Sequence, residues 1–212
     1  MIHDIIIKKS HIVDYNESSN EMENIVSDII NNNGKEYIWF LQHYDVYTAG
    51  TNSIADEFLG DIDQHNIIKV GRGGKYTWHG IGQRVVYFML NLRKRKMADI
   101  KLYINFLQSS LMESFKILDL DTFTIDDKIG VWCKKNDGQF CKIAAIGIKL
   151  RRWITFHGIA ININNDLKMY DNIIPCGIKE YGVTSLQDMG IFCSLREFDD
   201  ILLSVLKNKL NE

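Results

Sequence analysis

One cysteine stands between the chain's single proline and a glycine, in Ile174-Pro175-Cys176-Gly177-Ile178. Proline fixes its own φ at about −65° and keeps the residue before it out of the helical region. Glycine lets backbone or ligand approach closely. Such a bend would hold one thiol rigidly beside open space, which suits a nucleophile and equally suits a plain turn. Lys142 opens the apolar run Lys142-Ile143-Ala144-Ala145-Ile146-Gly147. It is either an exposed edge residue or, facing the same cleft as Cys176, a positive charge that stabilises a thiolate. His157, in Phe156-His157-Gly158-Ile159-Ala160-Ile161-Asn162, is either a core histidine or a catalytic one. Spacing alone identifies no Asn or Asp partner for it of the kind a cysteine hydrolase would use.

Five of the fifteen glycines fall in Gly71-Arg72-Gly73-Gly74-Lys75-Tyr76-Thr77-Trp78-His79-Gly80-Ile81-Gly82-Gln83. That density means a tight bend or a backbone lying against a ligand. Tyr76 occupies the third glycine position of a dinucleotide fingerprint, and the spacing before Gly74-Lys75 is wrong for a phosphate loop. The segment is therefore a glycine-rich hairpin or a different kind of ligand loop, and Arg72, Thr77 and His79 favour the second.

Composition narrows the classes. The chain has 212 residues, 46% hydrophobic and 25% charged, with net charge −2. A single soluble domain over 1–212 is expected, and the charge argues against broad nucleic-acid binding. The four cysteines, Cys133, Cys141, Cys176 and Cys193, form no Cys-x-x-Cys, so no metal site is expected. No apolar stretch reaches the roughly 18 residues of a membrane span. A cytoplasmic setting with free thiols follows as an expectation.

These residues need elements to hold them. A strand is predicted over 5–12. Asp14 and Glu17 open an amphipathic helix to about Asn31. Strands are predicted over Glu36–Gln42, Ile67–Val70 and Gln83–Leu92, and a long helix over 97–118. Further strands are expected at Phe123–Ile125, Ile129–Cys133, Lys142–Ile148 and Trp153–Ile163, with a turn at Asn136-Asp137-Gly138. Thr184 with Gln187 predicts a short helix ending near Gly190, and Ser194 with Glu197 predicts the last helix. Strands in runs with helices between the runs indicate an α+β fold, a mixed β-sheet sandwich with packed helices.

Taken together, the segments at 71–83, 142–147, 156–162 and 174–178, with Gly182-Val183-Thr184-Ser185-Leu186, resemble the lipoyl(octanoyl) transferase family in order and spacing. Gln42-His43 and Val46-Tyr47-Thr48 resemble its first motif, and the likeness runs from about residue 4 to residue 207. Ile81 and Phe88 stand where that family usually has proline, and Tyr44-Asp45 follow His43 where another is missing. The resemblance implies a biotin/lipoate protein ligase-like fold. It implies transfer of an octanoyl group from octanoyl-acyl carrier protein to a lysine of lipoyl domains, those of 2-oxoacid dehydrogenase complexes and of glycine-cleavage H protein. This is a step of lipoate biosynthesis and protein lipoylation that needs no cofactor. By the same resemblance Cys176 is the acyl-thioester nucleophile, and Lys142 lowers its pKa and accepts a proton. Arg72, Gly73, Gly74, Lys75, Tyr76, Thr77, Trp78, His79, Ala145, Ile146, Gly147, Gly158, Ile159 and Ala160 bind the acyl substrate, and His43, His157 and Gly177 are possible supports.

Two other classes remain. An ATP-dependent lipoate or biotin ligase would share the fold but needs no nucleophilic cysteine. A non-catalytic module that binds acyl groups or lipoyl domains has little need of both Lys142 and Cys176. The basic groups Arg93-Lys94-Arg95-Lys96 and Lys149/Arg151/Arg152 are either solvated faces or docking patches for an acidic carrier protein.

Overall fold

A computed structural model of the protein describes residues 4–31, 34–61, 65–174 and 181–211. The first strand, β1 (Ile5–Val13), is followed by α1 (Tyr15–Ile30), whose N-cap Asp14 accepts from the Asn16 and Glu17 amides. Next come β2 (Glu36–His43), β3 (Val46–Ala49), a 3-10 turn at Ala55–Glu57, β4 (Ile67–Lys69), β5 (Tyr76–His79) and β6 (Gln83–Met89). The helix α2 (Ile100–Ile117) begins three residues later than its apolar spacing predicts, because Asp99 caps it by accepting from the Leu102 amide at 3.0 Å. The chain continues through β7 (Phe123–Ile125), β8 (Lys128–Lys134), β9 (Phe140–Arg151), β10 (Ile154–Asn162), a 3-10 segment at Leu167–Asn172, β11 (Gly182–Val183) and α3 (Leu195–Asn211).

The main sheet runs β1-β2-β6-β10-β9-β8-β7, with β11 added beside β9. β1 lies parallel to β2; β2, β6, β10, β9 and β8 then alternate antiparallel. Period-two alternation sorts its side chains onto two faces. Ile38, Phe40, Val86 and Phe88 face α2 and α3, against Tyr103, Leu107, Phe115, Phe198 and Leu202. Trp39, Leu41, Val85, Tyr87 and Met89 face α1, against Met22, Val26 and Ile29. Each such fully buried side chain contributes about 1.5–3 kcal/mol by leaving water.

A second sheet, β4-β3-β5, has its own apolar cluster of Tyr47, Phe58, Trp78, Tyr170 and Ile173. The strands β3 and β5 are not predicted by the sequence pattern; β5 lies inside the glycine-rich segment. The Gly73 amide donates to Ile148 O at 3.0 Å, tying the loop before β5 to β9.

The predicted helix after Thr184 is instead a series of turns. Thr184 Oγ1 donates to Asp188 at 2.6 Å, Ser185 Oγ accepts from the Asp188 amide, and Gly190 turns left-handed at φ 79°. The segment is too short to nucleate a helix before that glycine reverses it. The capping box of α3 forms as expected: Ser194 N donates to Glu197, and Glu197 N donates to Ser194 Oγ. Cys133 and Cys141 face each other across β8 and β9 as buried free thiols. Among the described residues no helix is long and apolar enough to cross a membrane, and no group of His, Cys, Asp and Glu is arranged to hold a metal.

Candidate active site

Between the two sheets lies a cavity of about 430 Å³. The loop and strand from Arg72 to Thr77, with His79, form one wall; β9 from Ala145 to Ile148 and β10 from His157 to Ala160 form the other. Three segments far apart in sequence thus meet at one space, and Lys142 lines it too.

Lys142 is 5% exposed, so its position depends on packing. Its Nζ donates to Ile129 O at 2.9 Å and lies 4.5 Å from the centre of the Trp132 ring. Gly130, at φ 136°, makes this possible: a Cβ there would lie 2.8 Å from Ala144 O and 3.0 Å from Lys142 Cε. Val183 pairs with Lys142 across β11 and β9, and both Val183 and Ile173 line the cavity. The Pro175-Cys176-Gly177 motif lies outside the described residues, so the structure gives no position for Cys176 or Gly177. The described chain on both sides of that segment nevertheless borders the cavity, at Ile173 and at Val183, the second beside Lys142.

The other end is aromatic. His157 pairs with Ile148, six residues along β9 from Lys142, or about 20 Å of strand. Strict alternation would place His157 with Ile159 and Ile161 on the face packed by α2 and α3. Its φ of 57° is left-handed, a costly conformation for such a residue, and its ring lines the cavity 5.9 Å from Tyr87. Tyr15, from the first turn of α1, and His79 complete this end; their rings stack at 6.1 Å.

The histidines here are neutral. Burial lowers His79 and His157 to about 3 and His43 to about 4, with the nearby Arg72 charge adding to the effect on the first two. Hydrogen bonds then fix two tautomers. Gln83 Nε2 has three acceptors in reach for its two N–H groups, Tyr170 OH (2.8 Å), Asn162 Oδ1 (3.0 Å) and Trp78 O (3.2 Å), so Gln83 Oε1 accepts from His79 Nδ1 at 2.7 Å. His79 therefore carries its proton on Nδ1. His43 donates from Nδ1 to Val13 O and accepts at Nε2 from Tyr87 OH, both at 2.8 Å. His43 sits behind the cavity wall, supporting Tyr87.

Other expected binding residues have structural tasks. Arg72 donates to the carbonyls of Gly73, Lys75 and Thr48 and to Thr48 Oγ1, buckling its own loop to β3. Glycines make its slot: a Cβ at Gly147 would lie 2.9 Å from Arg72 Cδ, and one at Gly50 would lie 2.7 Å from Arg72 Nη1. Trp78 is not part of the cavity wall; its ring packs T-shaped on Tyr170 at 5.7 Å. Lys75 lines the cavity and is ion-paired with Glu57. Of the basic groups, Arg95 makes a buried two-point contact with Glu36, and Lys149 and Arg151 hold Glu23.

Tyr15, Tyr87, Ile104, Ile129 and Tyr170 also line or support the cavity and were not singled out from sequence. Tyr15 gave a faint signal, as the residue after a helix cap. Ile104 gave none beyond its place on a helix face.

Residues 14–207 match the lipoyl protein ligase A/B catalytic domain, and the chain belongs to that family. It is 44% identical over 197 residues to a protein named octanoyltransferase from Rickettsia prowazekii (strain Madrid E), covering 92% of this chain and 94% of that one. Solved structures share the fold. A bipartite lipoate protein ligase from Thermoplasma acidophilum gives a TM-score of 0.68 at 15% identity, over 97% of this chain and 85% of that one. Biotin protein ligase from Aquifex aeolicus gives 0.57 at 16% identity, over 98% of this chain and 70% of that one.

Proposed function

We propose that the chain is an octanoyltransferase that moves an octanoyl group from acyl carrier protein to a lysine of a lipoyl domain, through a thioester on Cys176. The observation that carries this is the meeting of the 72–79, 145–148 and 157–160 segments around one cavity that also holds Lys142. The relative named octanoyltransferase, similar over nearly its whole length, supports the same activity rather than ATP-dependent ligation.

The donor is a thioester, already activated, so the enzyme needs chiefly a thiolate and a shaped slot. A free thiol of pKa about 8.5 is only about a tenth ionised at pH 7.5. A lowering of about two units, worth ~2.7 kcal/mol, makes the thiolate dominant. Lys142, buried and held by Ile129 O, supplies a fixed positive charge for that purpose.

The Cys176 thiolate attacks the octanoyl carbonyl, forming a new C–S bond as the carrier's C–S bond breaks. The departing thiolate takes a proton from Lys142. A neutral lysine of the lipoyl domain then attacks the enzyme thioester and forms the amide. The Cys176 thiolate leaves, and Lys142 recovers its proton from the attacking amine. The acyl chain runs from the Lys142 end over the small residues Ala145, Gly147, Gly158 and Ala160 towards His157. Neutral imidazoles there leave no charge for an apolar tail to desolvate.

The test is product formation from octanoyl-acyl carrier protein and a lipoyl domain without ATP. Octanoyl-lysine on the domain is expected. Product formed only from free octanoate with ATP would overturn the assignment in favour of a ligase.

A further inference from the structure

Glu57 touches two parts of the site at once. Its carboxylate is ion-paired with Lys75, on the cavity wall. Its main-chain carbonyl accepts from the Ile174 amide at 2.9 Å, two residues before Cys176. The surrounding backbone repeats the link: Phe58 bridges Ile173, and the Leu59 amide donates to Asn172 O at 2.8 Å. One short 3-10 turn therefore joins the substrate loop to the segment 172–174 that leads into the thiol motif.

This carboxylate is placed at a cost. Glu57 is 5% exposed, and its Oε2 is buried with no hydrogen-bond partner among the described residues. A buried carboxylate with one partner is held by that partner's charge and gains little for stability. An apolar residue would fill the position at lower cost. Lys75, in turn, is a third exposed and could otherwise reach solvent.

We infer that Glu57 and Lys75 form a positioning pair that holds the substrate loop in register with the backbone entering the Cys176 motif. The inference rests on Cys176 being the acyl acceptor. Neither side chain reacts. Their pairing fixes where the acyl carbonyl lies relative to the thiol, so its loss slows acyl transfer to the enzyme without changing the thiol itself.

The experiment is a double-mutant cycle with Glu57→Gln, Lys75→Met and the double variant. Octanoyl adduct formation from octanoyl-acyl carrier protein is followed by intact mass at saturating donor, and alkylation of Cys176 by iodoacetamide is followed in parallel. Each single variant is expected to slow acylation by about 10- to 100-fold. The double variant should be no slower than the worse single one, and iodoacetamide rates should stay within about twofold of wild type. A defect in Lys75→Met alone would overturn the pair and make Lys75 a direct substrate contact. Additive defects, wild-type acylation rates, or sharply faster alkylation from local opening would also overturn it. Absence of any adduct on Cys176 in the wild-type protein would instead contradict the proposed function.

Discussion

Gly130 and Lys142 are fitted to each other. The lysine stem occupies the space a Cβ at Gly130 would need, 3.0 Å from Lys142 Cε, while Lys142 Nζ is held by the carbonyl of Ile129 next door. Gly130→Ala must strain a left-handed backbone and displace Lys142. Destabilisation of about 1–3 kcal/mol is expected. The rate of acyl-enzyme formation should fall well beyond what that loss explains. Thermal melts and single-turnover acylation at a temperature where the variant is folded check this; wild-type acylation would separate the glycine from the lysine's role.

His157 closes the slot opposite Lys142. His157→Gly suits the left-handed backbone and removes the ring. The ratio of kcat/KM for a decanoyl over an octanoyl thioester should rise by roughly tenfold, the scale of one or two methylenes in an apolar pocket. An unchanged ratio would move the tail of the acyl chain away from this residue.

Gln83 is the hub that fixes His79. Gln83→Leu removes the partner of His79 Nδ1 and the donor to Asn162 and Tyr170. About 1–3 kcal/mol of stability should be lost. Nitrogen NMR shifts of His79 should change from a single Nδ1–H tautomer to a mixture. A single unchanged tautomer would mean that another group sets it.

Acid should unfold the protein early. The three buried histidines titrate at about 3 to 4 in the folded chain, against about 6.5 when unfolded. Between those values the unfolded state binds more protons, so stability is complete above about pH 6.5 and falls as pH drops towards 4. The Arg72 charge beside His79 and His157 and the Lys149 charge near His157 oppose histidine protonation. Tm should therefore fall steeply over that range, and His79→Gln should shed about one proton from the uptake on unfolding. A flat Tm profile would contradict neutral buried histidines.

Much of this arrangement was legible in sequence because the chemistry sits in short, unusual strings. Glycines crowd the 71–82 loop for visible reasons, and Lys142 interrupts an apolar run. The caps at Asp14 and Ser194 are local, and both form. What was hidden depends on pairings across the fold. Alternation cannot reveal that His157 turns to the opposite face, since only the folded backbone records its φ. Arg72 reads from sequence as a ligand contact alone, and only the fold shows that it also buckles its loop to β3 in a slot that Gly50 and Gly147 leave open. Glu57 has no motif, and its importance comes only from the two elements it joins. The helix expected after Thr184 failed because Gly190 reverses the chain after a single turn.

The most direct measurement is intact-protein mass spectrometry after mixing with octanoyl-acyl carrier protein in the absence of ATP, followed by peptide mapping. One octanoyl adduct on Cys176, discharged when a lipoyl domain is added and formed far more slowly in Lys142→Met, is the predicted result. No adduct from a carrier protein shown to be active, or an adduct at another residue, would contradict the account.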